Sequence, residues 1–225
     1  MRLSGVFRFA VILLTVGVTW HFARTYLLRS WRTNSFRNIA DREIKQASTK
    51  PSKNKCGNAK PCSKDHFAFK IVSGAASVVG PSMCLDDKLI MSNIKNNIGR
   101  GINIAFINGT NGEVLKTGFF DMYAGDVAEL LEFVKPVQVG YMAMIATYDD
   151  PATKLNDEAR KYFTDMGSAY ANKLNFRDNW VFLGVVGMQI KSPFEKHIKN
   201  DGETNKYDGW PEVLEMEGCV PRKRE

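Results

Sequence analysis

Asn97–Asp126 reads NIGRGINIAFINGTNGEVLKTGFFDMYAGD, two strand-like runs and a helix start around one turn. In Gly101–Ile107, Ile102, Ile104 and Phe106 alternate with Asn103, Ala105 and Ile107, the period of two that a strand requires. Asn108-Gly109-Thr110-Asn111-Gly112 supplies residues that accept positive φ, so the chain can reverse there. Glu113–Phe120 returns with Val114, Leu115, Phe119 and Phe120. The stretch predicts a β-hairpin, and the remaining elements are read outward from it.

Immediately after the hairpin, Asp126 occupies an N-cap position with Glu129 three residues on, the capping-box spacing. Val127, Leu130, Leu131 and Val134 follow at helical spacing, and Pro136 stops the helix. Tyr141–Tyr148 (YMAMIATY) and Trp180–Val186 (WVFLGVV) are apolar on both faces, which predicts central strands covered on each side. Between them, Asp157–Met166 sets Ala159, Tyr162, Phe163 and Met166 on one helical stripe. Ser192-Pro193-x-Glu195 predicts a third helix start with proline at its first position. Upstream, His66–Val72 alternates Phe67, Phe69 and Ile71 as a strand, and Lys88–Met91 reads as another after a turn at Gly80-Pro81. The tail, Tyr207–Cys219, is aromatic and acidic, and no internal repeat is visible. Strands interleaved with helices give a mixed α/β domain. The compact options are sheets covered on both faces by helices, or sheets packed on each other.

Of the 225 residues, the first 55 hold 11 Lys/Arg against 2 Asp/Glu, a net of +9. The other 170 hold 20 against 22, a net of −2, so the overall +7 belongs to the leader. A near-neutral domain lacks the electrostatic footprint of a nucleic-acid partner. Arg2 and Arg8 precede an apolar run from Phe9 to Ala23, which Arg24 ends. That run suits the h-region of a secretory signal better than a full membrane span. His21 and Ala23 make a poor cleavage pair, and Arg24, Arg29, Arg32 and Arg37 oppose the usual charge bias. Residues 1–24 are therefore expected to be a signal peptide or an uncleaved signal anchor, the chain's one membrane contact. Arg42–Lys55 is too polar to offset its ordering entropy, and residues 25–55 are expected to be a flexible basic linker. The globular domain is expected over 56–225.

Four cysteines, Cys56, Cys62, Cys84 and Cys219, follow that leader. Their spacing and a lone His66 disfavour zinc, and an even count after a secretory leader reads as two disulfides with three open connectivities. Cys62 with Cys219 would tie the domain's first strand to its last segment.

No nucleophile elbow, GxxxxGK or GxGxxG occurs, and Gly99-Arg100-Gly101 is too short for a phosphate loop. His21 lies in the leader, His66 opens a strand and His197 lies on the third expected helix. Asp149, Asp150, Asn156 and Asp157 flank the end of a central strand, where oxygens could hold calcium. Without EF-hand spacing they read first as a polar, helix-capping loop. No catalytic set, metal or cofactor is expected. Asn108-Gly-Thr110 is an N-glycosylation sequon at the hairpin tip. Among Tyr148, Trp180, Tyr207 and Trp210, Trp180 is the expected core residue, and Trp210 is the candidate for exposure to a sugar or partner.

Eight motifs together resemble a known family. They are CGxxxPC at Cys56–Cys62, FAFKIxSGAAxVVGPSMC at Phe67–Cys84, NNIGRGINIA at Asn96–Ala105 and FDMYAGD at Phe120–Asp126. YDDPATKLNDEAR at Tyr148–Arg160, FRDNWVF at Phe176–Phe182, KSPFE at Lys191–Glu195 and NKYDGWPEVLEMEGC at Asn205–Cys219 complete the set. The sequence resembles the family with sequence similarity 3, cytokine-like secreted proteins. The resemblance implies a single compact domain of mostly antiparallel β-sheets flanked by helices, with no enzymatic activity. It implies the pairings Cys56–Cys84 and Cys62–Cys219, secretion, and signalling through a cell-surface receptor. The fold of that family is also similar to the sugar-binding stem domain of a Golgi N-acetylglucosaminyltransferase. This second likeness implies a glycan as an alternative partner, in the Golgi lumen if the leader is uncleaved. The residues shared with the stem domain would be Arg100, Asp121, Arg177, Asp178 and Trp180. A buried scaffold would leave the same pattern.

Overall fold

The computed structural model describes residues 13–24, 54–188 and 190–223. The chain falls into two units, Met1–Pro51 and Ser52–Glu225. Of the first unit, residues 13–24 are helical and exposed. No helix among the described residues is long and apolar enough to cross a membrane. The rest of the expected leader, and the expected linker up to residue 53, lie outside the described residues.

The second unit begins at a 3-10 turn, Lys55–Gly57. It then runs β1 (His66–Val72), β2 (Ser82–Leu85), β3 (Lys88–Met91), β4 (Gly101–Asn108) and β5 (Val114–Phe120). There follow α1 (Val127–Val134), β6 (Tyr141–Tyr148), α2 (Asp157–Asp165), β7 (Asn179–Val185), β8 (Glu195–Ile198) and β9 (Glu215–Pro221), with a 3-10 turn at Ala171–Lys173 before β7. One sheet is ordered β3-β2-β1-β9 and the other β5-β4-β6-β7-β8, with every pairing antiparallel.

The hairpin forms as its period requires, with Ile104 opposite Gly118 and Ile102 opposite Phe120. Asp126 caps α1, its carboxylate accepting from Ala128 N, and Asn156 caps α2 by accepting from Ala159 N. β6 and β7 are central and buried on both faces because each face has its own core. Ile102, Ile104, Phe106, Ala143, Ile145, Trp180 and Phe182 pack against Leu130, Leu131, Val134 and Phe163 of the helices. Ala105, Ile107, Met142, Met144, Ala146, Val181 and Leu183 pack against Phe67, Phe69, Ile71, Met83 and Met216 of the other sheet. The five-stranded sheet thus has helices on one face only and packs its other face on the second sheet.

The disulfides are Cys56–Cys84 and Cys62–Cys219. The second clamps the segment before β1 onto β9, along which β1 pairs from His66–Pro221 to Val72–Glu215.

One expected element is absent. Ser192-Pro193 opens no helix, and His197 lies on β8, paired opposite Trp180 of β7. The cause is tertiary. Ser192 Oγ donates to Leu183 O rather than capping a helix, and the Glu195 carboxylate accepts from Trp180 Nε1 at 2.8 Å, Ala169 N at 2.7 Å and Ser168 Oγ. A helix would withdraw Glu195 from those donors.

Candidate functional site

β4, β6 and β7 bring their Gly101, Tyr148 and Asn179 ends together at one end of the larger sheet, beside the loop after β5. Gly101 holds φ +96°, and a Cβ there would lie 2.0 Å from Phe120 O. Only glycine fits that approach, and it sets Arg100 against Asp121. Arg100 Nε donates to Asp121 Oδ1 at 3.0 Å and Nη2 to Oδ2 at 2.5 Å, a forked pair. Asp121 Oδ1 also accepts from Tyr123 N and Ala124 N, closing the turn that follows β5. Arg100, joined by those backbone donors, holds the Asp121 carboxyl below its usual range; the Arg100 guanidinium is raised, mainly by Asp121 and in smaller part by Asp149 and Tyr123.

From this pair a row of rings and guanidinium groups continues. Arg100 lies 4.9 Å over the Tyr123 ring, and Tyr123 neighbours Phe176 at 6.5 Å. Arg177 stacks 4.7 Å from Phe176 and 3.8 Å over Trp210. Trp210 Nε1 donates to Asp149 Oδ1 at 2.9 Å. Arg177 and Asp149 both take the left-handed conformation, φ +60° and +61°, uncommon for residues with side chains. Gly209, φ +81°, leaves room for Arg177 Nη1, which donates to its carbonyl at 3.4 Å. Tyr123 and Phe176 are about half exposed, at 50% and 44%. The row is thus a shallow ledge of ring faces flanked by fixed carboxylates and guanidinium groups. Such a surface can stack on a sugar ring and hydrogen-bond its hydroxyls, or seat a partner's side chains.

Comparison with known proteins places the chain. A family profile described as "Interleukin-like EMT inducer" matches residues 100–188, the span that carries most of the ledge. Over 224 residues the chain is 53% identical to Protein FAM3D of Homo sapiens, covering 99% of both chains. It is 49% identical over 228 residues to Protein FAM3A of Homo sapiens, covering 99% of this chain and 98% of that one. The chain belongs to the FAM3 family. A third relative, Protein FAM3C of Danio rerio, is 62% identical over 177 residues, 79% of this chain and 78% of that one.

The residues expected to be shared between the FAM3 fold and a sugar-binding stem domain divide in two. Arg100, Asp121 and Arg177 meet on the ledge, joined by Trp210. Asp178 and Trp180 go inside, 1% and 0% exposed, out of reach of any ligand. Asp178 accepts from Asn175 N, Asn200 N and His197 Nε2 and so ties three segments together. Trp180 packs between Phe163 and Phe182, as its apolar strand demands. Trp210 is only half-buried, one face covered by Arg177.

The polar residues after β6 each have a local use. Asp149 accepts from Trp210 Nε1, Asp150 accepts from Ala152 N and Thr153 N, and Asn156 caps α2. No group of three His, Cys, Asp or Glu among the described residues is arranged to hold a metal. Tyr123, Phe176 and the role of Asp149 were not legible as ledge members. They sit in loops, where no periodicity marks which side chains face one another; the nearness of Tyr123 to Asp121 and of Phe176 to Arg177 in the sequence is the available signal. Asn108 lies at the other end of the sheet, its Oδ1 accepting from Thr110 N at 2.8 Å.

Proposed function

We propose that the chain is a secreted, cytokine-like signalling protein that acts through a cell-surface receptor. The observation that carries this reading is the pair of disulfides in a FAM3 domain, Cys56–Cys84 and Cys62–Cys219, because such bonds form and persist in oxidising compartments. The apolar, arginine-led start of the chain supports export, and the near-neutral domain suits a diffusible ligand. No enzymatic activity enters this reading. Protein recovered from the medium of expressing cells should carry a new N-terminus beyond the apolar run and expose no alkylatable thiol before reduction. It should then trigger receptor signalling at nanomolar dose. A folded cytosolic product with four reactive thiols overturns the proposal.

Export also brings Asn108 before the glycosylation machinery. Its side chain lies in an Asx turn at the hairpin tip, half-exposed, with Thr110 at the required spacing. Glycosidase treatment of the secreted protein should lower its mass, and Asn108→Gln should abolish that shift.

A second reading rests on the ledge. Exposed Tyr123 and Phe176 beside the Arg100–Asp121 fork suit a glycan, which a leader left uncleaved would meet in the Golgi lumen. On a glycan array the purified protein should bind a defined set of sugars, and Arg100→Ala should lose them while staying folded. Binding that survives Arg100→Ala, or no binding at all, removes this reading and leaves the first intact.

A further inference from the structure

At the end of the larger sheet away from the ledge, where β6 begins and β7 and β9 end, a cleft of about 430 Å³ opens between the two sheets. Its size falls in the lower part of the roughly 300–1,000 Å³ range of small-ligand pockets. The walls are aliphatic. Val139, Met142, Val185, Val186, Met188 and Val220 line it, with no aromatic ring and no acid. Met142, Val185 and Val220 pack into the core between the sheets, so the cleft reaches the edge of that core. Gly109, Gly140 and Gly187 also line it and leave part of the wall without side chains.

One charge enters this lining unbalanced. After β9 the backbone is held against the hairpin tip, Lys223 N donating to Gly109 O at 2.8 Å. Of the two basic residues there, Arg222 is engaged: its Nη2 donates to Asp86 Oδ2 at 2.9 Å, and its guanidinium lies 3.8 Å over the Phe67 ring. Lys223 has no carboxylate partner among the described residues. Its side chain runs along the wall from Gly109 to Gly140. A Cβ on Gly109 would stand 3.5 Å from Lys223 Cβ, and one on Gly140 would stand 2.7 Å from Lys223 Nζ. Any side chain at Gly140 would displace the ammonium from the cleft.

We propose that the cleft binds a medium-chain aliphatic carboxylate, a fatty acid, with its carboxylate on Lys223 Nζ and its tail against Met142, Val185 and Val220. The lining selects that class. A ligand built of stacked rings finds no aromatic partner, a cation meets Lys223 and no acid, and a neutral alkane leaves the ammonium unpaired. A flexible straight chain suits walls of Val and Met, because the thioether side chain adapts to the shape it covers. The carboxylate gains a charge-assisted hydrogen bond at Lys223, which fixes the direction in which the tail enters. Beside aliphatic walls that bond is screened less than it would be on an open surface.

Methyl-resolved NMR of the disulfide-bonded full chain, labelled at Met and Val and titrated with sodium decanoate, tests this directly. The expected result is a set of saturable shifts confined to the methyls of the cleft, Met142, Met188, Val139 and Val220 among them. Octanoate, two methylenes shorter, should bind up to about fifteenfold more weakly. Decanol keeps the tail and lacks the charge, and it should bind at least about tenfold more weakly than decanoate. Lys223→Met should remove the difference between decanoate and decanol. Val139→Glu, at a position 73% exposed, sets an acid in the lining and should abolish decanoate binding. Both substituted side chains are exposed, and the methyl spectrum of each variant reports directly that the fold is kept. No saturable shift at millimolar decanoate overturns the proposal, and shifts that centre elsewhere overturn the site. Decanol binding as tightly as decanoate, or decanoate binding unchanged in Lys223→Met, overturns the role of the ammonium and the ligand class with it.

Discussion

Gly101 and Asp121 carry the geometry of the ledge, and each makes a separate prediction. With φ at +96° and a carbonyl oxygen 2.0 Å from where a Cβ would stand, Gly101→Ala adds backbone strain and a collision with Phe120. Strain at such a φ and displacement of that backbone together should cost more than about 2 kcal/mol, read as a lower denaturation midpoint. Asp121→Asn is subtler, because asparagine can still accept from Tyr123 N and Ala124 N while the ion pair with Arg100 is lost. Both partners are about a third exposed, so the pair contributes about 1 kcal/mol or less. The pH dependence is the sharper test. Arg100 depresses the Asp121 carboxyl in the fold, so this contribution is present above the ordinary Asp pKa of about 4 and is lost as pH falls through the folded value. The stability gap between the protein and Asp121→Asn should therefore be constant from pH 7 to 5 and shrink below pH 4. A gap that grows on acidification contradicts the assignment.

At the scale of elements, legibility followed whether the signal was local. The hairpin, α1, β6 and β7 announce themselves by period, turn residues and caps within their own span, and each lies where its residues put it. β2, β8 and β9 do not. SMCL and EKHI are too short for a period, and EMEGCVP alternates acid with apolar residues as a surface loop could. What makes EKHI a strand is a long-range demand, the three donors that converge on Glu195, and it outweighs a serine-proline helix start next door. The ledge divides along the same line: its Arg and Asp lie in recognisable motifs, whereas the rings that complete it are brought together only by the packing of loops. Glu195→Ala follows from this. It leaves the buried Trp180 indole N–H without its acceptor and frees Ser168 Oγ and Ala169 N, at a cost of about 2–3 kcal/mol. Denaturant titration should show that loss with the slope unchanged, since the same surface is exposed on unfolding.

Across the whole molecule, the central sheet ties two cores into one cooperative unit. Alternate residues of β6 belong to opposite layers, Ala143 and Ile145 to the helical side and Met142, Met144 and Ala146 to the other sheet. Neither layer can be removed without uncovering one face of β6. The disulfides act on this unit through the unfolded chain rather than through new contacts, and their loops differ greatly, 157 residues of separation for Cys62–Cys219 against 28 for Cys56–Cys84. Loop-closure entropy then assigns about 5 kcal/mol to the first and about 3.6 kcal/mol to the second, both upper figures. Since β1 and β9 pair along seven residues without help from sulfur, opening Cys62–Cys219 should leave the native sheet intact. Paired serine replacements of Cys62 and Cys219 should thus lower the unfolding free energy more than those of Cys56 and Cys84, while native circular dichroism is retained in both. If the order reverses, the longer loop is not what the second bond restrains, and residual structure in the unfolded chain must already hold the two ends of the domain together.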